Sequence, residues 1–141
     1  MAINVHLNKF KNYQKGMIRN FKNEVAMIVE ESGGLAEQLA KQKAPHDLGY
    51  LAQNIGHEPV VGLRDGNIGT KIYSNAPYSA YHEFGTGTMV DVPDGWHDVA
   101  IQFKGKGIRQ VNIKARPFLI PSVYQAEKFM RKKLSKLIST L

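Results

Sequence analysis

Residues 74–88, SNAPYSAYHEFGTGT, hold the densest set of side chains able to do chemistry: Tyr78, Tyr81, His82, Glu83 and Phe84 beside a glycine-threonine turn. A His followed by a Glu is half of a zinc-protease helix, in which two His four residues apart bind the metal and the Glu acts as base. The second His would stand where the chain has Thr86. Ser79 and His82 are three apart and could share a proton, but no Gly-x-Ser-x-Gly elbow exposes a nucleophile. The Gly-Thr-Gly-Thr run lacks the third glycine of a dinucleotide fingerprint, Val90 standing in its place, and no Gly-Lys-Ser/Thr follows for a phosphate loop. Counted from Asp91, a calcium loop would need a side-chain oxygen where Pro93 stands and a bidentate Glu where Gln102 stands. Asp94, His97 and Asp98 either hold a metal loosely or form a polar turn around Gly95. Glu30 and Glu31, adjacent on a helix, point about 100° apart and cannot act on one bond. The reading is of a protein with no catalytic residue, metal site or cofactor, in which Tyr78, Tyr81 and Phe84 are packing or docking aromatics.

Regular elements must position this stretch. Phe10, Tyr13, Met17, Phe21, Val25 and Ile28 recur at helical spacing, with Lys11, Lys15, Arg19 and Lys22 on the opposite face. Ser32-Gly33-Gly34 is expected to break or kink this helix, which then resumes until Pro45. Asp47 is a candidate cap and Gly49 a candidate left-handed residue, while Leu51 and Ile55 share a face. Two β-rich runs flank Asp65-Gly66, a hairpin turn, and Pro59 places its strand at an edge. Pro77 and Gly85 bracket a short helix. Val99, Ile101 and Phe103, a Lys-Gly-Lys-Gly turn, and Val111 with Ile113 predict a second hairpin. Pro121 opens a last helix whose stripe is Val123, Ala126, Met130, Leu134, Leu137 and Leu141. The expected architecture is a single α+β domain over residues 1–141. Its small antiparallel sheet is made of two hairpins, with long N- and C-terminal helices packed on one face.

Bulk properties agree with one domain. The 141 residues are 43% hydrophobic and carry a formal charge of +7, which favours polyanionic partners or a charge-lined assembly. No cysteine, no signal-like N-terminus and no long apolar run are present, so a soluble intracellular protein without membrane contact is expected.

Two segments, YSNAPYSAYHEFGTGT (73–88) and ARPFLIPSVY (115–124), together resemble the head–tail joining, or neck, proteins of long-tailed bacteriophages. That family's signatures run APYAxYxEFGT and xRPFLxPA, and a third, APvDTGxLxxSI, is echoed by APHDLGYLAQNI (44–55). Leu48, Asn54 and Ser122 replace the usual threonine, serine and alanine, and the long loop from Gly87 to Asp98 is not part of the pattern. The resemblance implies a virion component of the neck or tail, assembled in the host cytoplasm and free of catalysis. It implies a homo-oligomeric ring, six- or twelvefold, between the head connector and the tail terminator or tail tube, with genomic DNA passing loosely through its lumen. Interface or motif residues would then be Tyr78, Tyr81, Glu83, Phe84, Gly85, Arg116 and Phe118. Glu83 and Arg116 are either ion-pair partners or unrelated surface charges. Lys104 and Lys106 would face DNA in the channel.

Phe129 falls among Lys128, Lys132 and Lys136, away from the last helix's stripe, and is expected to be an exposed aromatic or partner contact. Two rival functions remain. The basic faces also suit a nucleic-acid-binding module, although no common reader motif is present. A hydrolase or ribonuclease would have to be built on Tyr81, His82 and Glu83.

Overall fold

A 42-residue helix, α1 (Ala2–Lys43), is the spine of the protein and is about 63 Å long. It is followed by α2 (Tyr50–Gln53), the strands β1 (Ile55–Val61) and β2 (Ile68–Ser74), α3 (Ser79–Phe84), α4 (His97–Ala100) and α5 (Leu119–Ser139), with 3-10 turns at Gly87–Met89 and Ile101–Lys104. The computed structural model describes residues 2–46, 49–61, 68–104 and 112–141. Asp47, Leu48, Asp65-Gly66, Lys106 and Val111 lie outside the described residues, as do the side chains of Phe10 and Lys104. The fold is mixed helix and strand, with the two long helices packed on an antiparallel sheet. Among the described residues, no helix is long and apolar enough to cross a membrane.

The hairpin pairs Ile55 with Ser74 through Val61 with Ile68. Side chains alternate across it. Ile55, His57, Thr70 and Ile72 belong to the face that meets the helices, and Glu58 bonds Lys71 on the other face at 3.3 Å. There Tyr73 also lies where a side chain on Gly56 would stand, so the ring covers the bare glycine backbone.

Ser32-Gly33-Gly34 does not break α1. The helix runs straight through, because Gly33 is where it meets the sheet: a Cβ there would strike Thr70 and the His57 ring. Each helical glycine forfeits about 1 kcal/mol of propensity, and close packing offsets this here. Ser32, Ala36, Ala40 and Ala44 continue the same small-residue surface and are all buried. The Ser32 hydroxyl donates to the Ile28 carbonyl at 2.7 Å. The N-terminal stripe behaves differently from expectation, since Tyr13 and Met17 are exposed and every residue from 11 to 20 faces solvent. Burial begins at Phe21, where α5 comes alongside in antiparallel sense, as the Lys43–Gln125 hydrogen bond and the Lys133–Glu31 ion pair mark.

The second hairpin is also corrected. Residues 97–104 are helical, and the sheet of the described residues has two strands. Val99 and Ile101 are exposed, whereas Ala100 is fully buried and Phe103 half-buried. Burial three residues apart is a helical pattern, and Ala100 against Phe84 and Ile120 sets it. On α5, Phe129 is half-buried, with the Lys133 ammonium 5.4 Å from its ring centroid. It stands seven residues from Ser122 and three from Ala126, both buried, so it shares their face rather than the lysine face. Val123 and Leu141, expected in the stripe, are exposed.

An ionic cluster joins α1 to β1. His57 bonds Glu37 through Nδ1 and Glu30 through Nε2 (2.9 Å), and Lys41 bonds Glu37 from the next turn of α1. Lys41 and His57 hold the Glu37 carboxyl below its ordinary value, and Glu37 and Glu30 raise the His57 imidazole above its own. A raised His stabilises the fold below its unfolded pKa and loses that contribution as pH rises through the folded one. A lowered Glu stabilises above its unfolded pKa and loses it as pH falls through the folded one. Both contributions are complete only between the ordinary values of 4.5 and 6.5. Thermal unfolding of wild type and His57→Gln across pH should therefore show the largest gap in that window, narrowing as pH is raised above it. A gap constant with pH would mean that the cluster adds packing but no charge.

Candidate functional site: a carboxylate clasp

The segment that closes α5 onto the rest of the chain, Arg116-Pro117-Phe118-Leu119-Ile120-Pro121-Ser122, offers none of the usual Ser, Thr, Asp or Asn caps before the helix. Its orphan N–H groups need an acceptor from elsewhere. Glu83 supplies it. The backbone N–H groups of Phe118 and Leu119 donate to Oε2 at 2.7 and 2.9 Å, and that of Ile120 donates to Oε1 at 2.8 Å. The fourth position is Pro121, which has no N–H to satisfy. All four start positions are thus accounted for by one side chain and one proline. Glu83 is buried, as is Ser122, whose hydroxyl donates to the Phe118 carbonyl at 2.5 Å.

The geometry that delivers Glu83 comes from the surrounding turn. α3 ends on Gly85, whose N–H donates to the Tyr81 carbonyl at 2.9 Å and whose φ is 75°. A side chain there would stand 2.8 Å from the Ile113 carbonyl oxygen and 2.9 Å from the Ala115 nitrogen, so glycine is required twice over, by conformation and by space. Thr86 then holds Ile113 from both sides: its N–H donates to the Ile113 carbonyl at 2.9 Å, and its hydroxyl accepts from the Ile113 N–H at 2.8 Å. The Arg116 N–H donates to the His82 carbonyl at 2.7 Å. Residues 82–86 and 113–120 are in this way laced together along their backbones.

Phe118, fully buried, packs with Ala40, Ala44, Leu51, Ile55 and Ala76; Ile120 packs with Phe84 and Ala100. Phe84 stacks on Phe103 at 5.6 Å between centroids and meets Trp96 at 6.2 Å. Tyr81 stands edge-on to Phe103 and Tyr78 edge-on to His82, and both tyrosines remain partly exposed.

Seven of the expected residues, Tyr78, Tyr81, Glu83, Phe84, Gly85, Arg116 and Phe118, thus meet in one place, with roles that differ from expectation for two. Within the chain Glu83 does not pair with Arg116: its oxygens are taken by backbone N–H groups, and Arg116 contributes its own N–H while its side chain is exposed. Phe129 stands apart on α5. Lys104 ends the Ile101–Lys104 turn, and Lys106 lies outside the described residues. Among the described residues, the His82 Nδ1 atom is buried without a hydrogen-bond partner, and both Glu83 oxygens accept from backbone N–H groups. Among the described residues, no three His, Asp or Glu side chains are grouped as metal ligands; His97 and Asp98 are 3.8 Å apart on an exposed turn in which Gly95 takes a φ of 82°. Sequence reasoning missed the His57 cluster, whose two carboxylates are seven residues apart on α1, a same-face spacing that adjacent Glu30 and Glu31 obscured.

Removing Glu83 leaves three backbone donors without that acceptor, two of them on buried residues. Glu83→Ala should destabilise the protein by about 3 kcal/mol in denaturant titration. Glu83→Gln, which keeps one acceptor but turns an N–H toward the same donors, should fall between. Gly85→Ala should destabilise by more than about 1 kcal/mol, since it combines a positive φ with backbone overlap. A wild-type midpoint in Glu83→Ala would show that the cap is dispensable.

Comparison of the chain with protein-family models, with curated proteins and with solved structures found no match.

Proposed function

We propose that this chain is a structural component of a bacteriophage neck, which assembles with copies of itself into a ring joining the DNA-filled head to the tail. The observation that carries the reading is the clasp. The segments on which the resemblance rests, 73–88 and 115–124, are distant in sequence yet engage one another through Glu83, Gly85 and the backbone of residues 113–120. The spacing Glu-Phe-Gly-Thr followed by Arg-Pro-Phe-Leu-x-Pro thus has a physical reason: a carboxylate, a tight turn, and a helix start that ends on a residue without an N–H. A shared pattern of that kind is harder to meet by chance than either segment alone.

The same geometry favours support over catalysis. Glu83, the obvious acid or base of the stretch, is held by three donors, and Tyr78 and Tyr81 present partly exposed rings beside it, as interface anchors do. A ring needs a heterologous contact repeated around an axis, and exposed aromatics on a rigid clasp suit one. The exposed basic face of α1 favours the second reading, a nucleic-acid-binding module.

Electron microscopy of the purified protein, alone and mixed with tails, tests the first reading. Rings that cap tail ends are expected, and Tyr81→Ala should reduce their formation at least tenfold while retaining the fold. Absence of rings and of tail binding, together with micromolar or tighter, salt-dependent binding of random duplex by the monomer, would favour the second reading instead.

A further inference from the structure

Helices packed side by side stand about 8–10 Å apart and strands about 4.8 Å apart, so α1 and α5 together span the width of about three strands. The sheet of the described residues has two. α1 lies over both, since a Cβ on its Gly33 would strike Thr70 of β2 and His57 of β1, while α5 meets β2. Beside β2 the space under α5 is open. One groove of about 390 Å³ runs between β2, α3 and α5 and reaches Trp96 and Tyr124. Another, of about 300 Å³, lies between β2, α1 and α5 and reaches Ala126 and Met130. Thr70, Ile72 and Val123 line both. Two lining residues carry charge and both are engaged, Glu83 by the α5 backbone and Glu127 by Arg131 at 2.6 Å.

The register shows which backbone groups face this space. In an antiparallel pair, opposite residues alternate between exchanging two hydrogen bonds and exchanging none. The Asn75 N–H donates to the Asn54 carbonyl at 2.9 Å, one step beyond the Ile55–Ser74 pair, so Asn54 and Asn75 are a bonded pair. Counting on by two, Gly56–Tyr73, Glu58–Lys71 and Val60–Gly69 are bonded as well. Pro59, which has no N–H, then falls in an unbonded pair with Thr70, as it must. The N–H and C=O groups of Ile68, Thr70 and Ile72 therefore point away from β1, and among the described residues no backbone hydrogen bond reaches them.

We propose that a single extended segment of a partner protein adds to this outer edge of β2, completing a three-stranded sheet beneath α5. Its backbone pairs with Ile68, Thr70 and Ile72, and its alternate, apolar side chains enter the two grooves. Main-chain bonds give such a contact its affinity, and pockets at two-residue spacing give it selection. The edge itself sets what covers the grooves: donors and acceptors at a two-residue repeat are met by a strand, whereas a helix bonds its own backbone internally. The occupant is another protein because the described extended segments of this chain are engaged. β1 and β2 pair with each other, and residues 113–116 are tied to Thr86 and His82. Pairing β2 with β2 of a second copy would bring two α5 helices over the same strands.

Hydrogen exchange in the full-length protein, followed residue by residue by nuclear magnetic resonance, tests the edge. In the free protein the amides of Gly69, Lys71 and Tyr73 should exchange slowly and those of Ile68, Thr70 and Ile72 quickly. The probe is a capped peptide of alternating Val and Thr with the seven-residue length of β2. It should bind and slow the second set. Two further peptides, N-methylated at every Val or at every Thr, each lose the N–H groups of one edge; one should bind at least tenfold more weakly while the other binds as before. Thr70→Pro removes an outward N–H and keeps the backbone pairing with β1, and Val123→Glu sets a charge in both grooves. Each should weaken peptide binding at least tenfold, and Val123→Glu, at a partly exposed position, should keep the wild-type melting temperature. Absence of binding at millimolar peptide, equal binding of the two N-methylated forms, or outward amides already slow in the free monomer would each overturn the proposal. So would protection that grows with protein concentration in the absence of peptide, since the occupant would then be a second copy. The proposal stands apart from the neck reading, which none of these outcomes decides.

Discussion

A single buried carboxylate holds this fold together at its seam. Glu83 receives the first N–H groups of α5, and the residues that donate them are the ones whose side chains enter the core: Phe118 points into the cluster beneath α1 and β1, and Ile120 into the cluster around Phe84. The negative charge sits at the positive end of a 21-residue helix, where the backbone dipoles favour it. The two hydrophobic clusters therefore share one polar hinge. Packing on either side is correct only while the three hydrogen bonds are made, and these in turn are screened from water by the packing.

The rest of the architecture is built on small residues. The part of α1 that packs presents Ser32, Gly33, Ala36 and Ala40, with Ala44 just beyond its end, so the sheet and α5 approach it closely. Such a core buries little apolar area per residue, and stability relies correspondingly on specific polar links: the clasp, the Thr86–Ile113 exchange and the His57 cluster. It also leaves apolar surface unburied at Ile68 on β2 and at Tyr13, Met17 and Ile18 on α1.

What the sequence disclosed follows from which interactions are local. Helix periodicity marked α1 and α5, Gly85 marked the end of α3, Gly49 marked a left-handed turn, and β-rich runs marked the first hairpin; all are set by residues within a few positions of one another. Where the deciding partner was remote, reading failed. Gly33 resembles a helix breaker until Thr70 and His57 are known to press on it. Val99, Ile101 and Phe103 alternate like a strand, yet Ala100, the residue between the first two, is the buried one because Phe84 and Ile120 lie above it. Glu83 and Arg116 read equally as ion-pair partners or as unrelated surface charges. The partners of Glu83 are backbone N–H groups, which no composition reveals.

The remoteness of that cap has a kinetic consequence. α5 cannot complete its own first turn, because the acceptor for its opening N–H groups lies 35 residues upstream of the first of them. Closing a loop of that length carries an entropic penalty, which must be met before the cap yields any stabilisation. On the ribosome, α1, the hairpin and α3 all emerge ahead of α5 and can organise without it. Docking of the C-terminal helix is then a late event, and until it occurs Phe84 and the β2 grooves lack their cover. The interval between synthesis of α3 and arrival of α5 is when the nascent chain is most open to self-association.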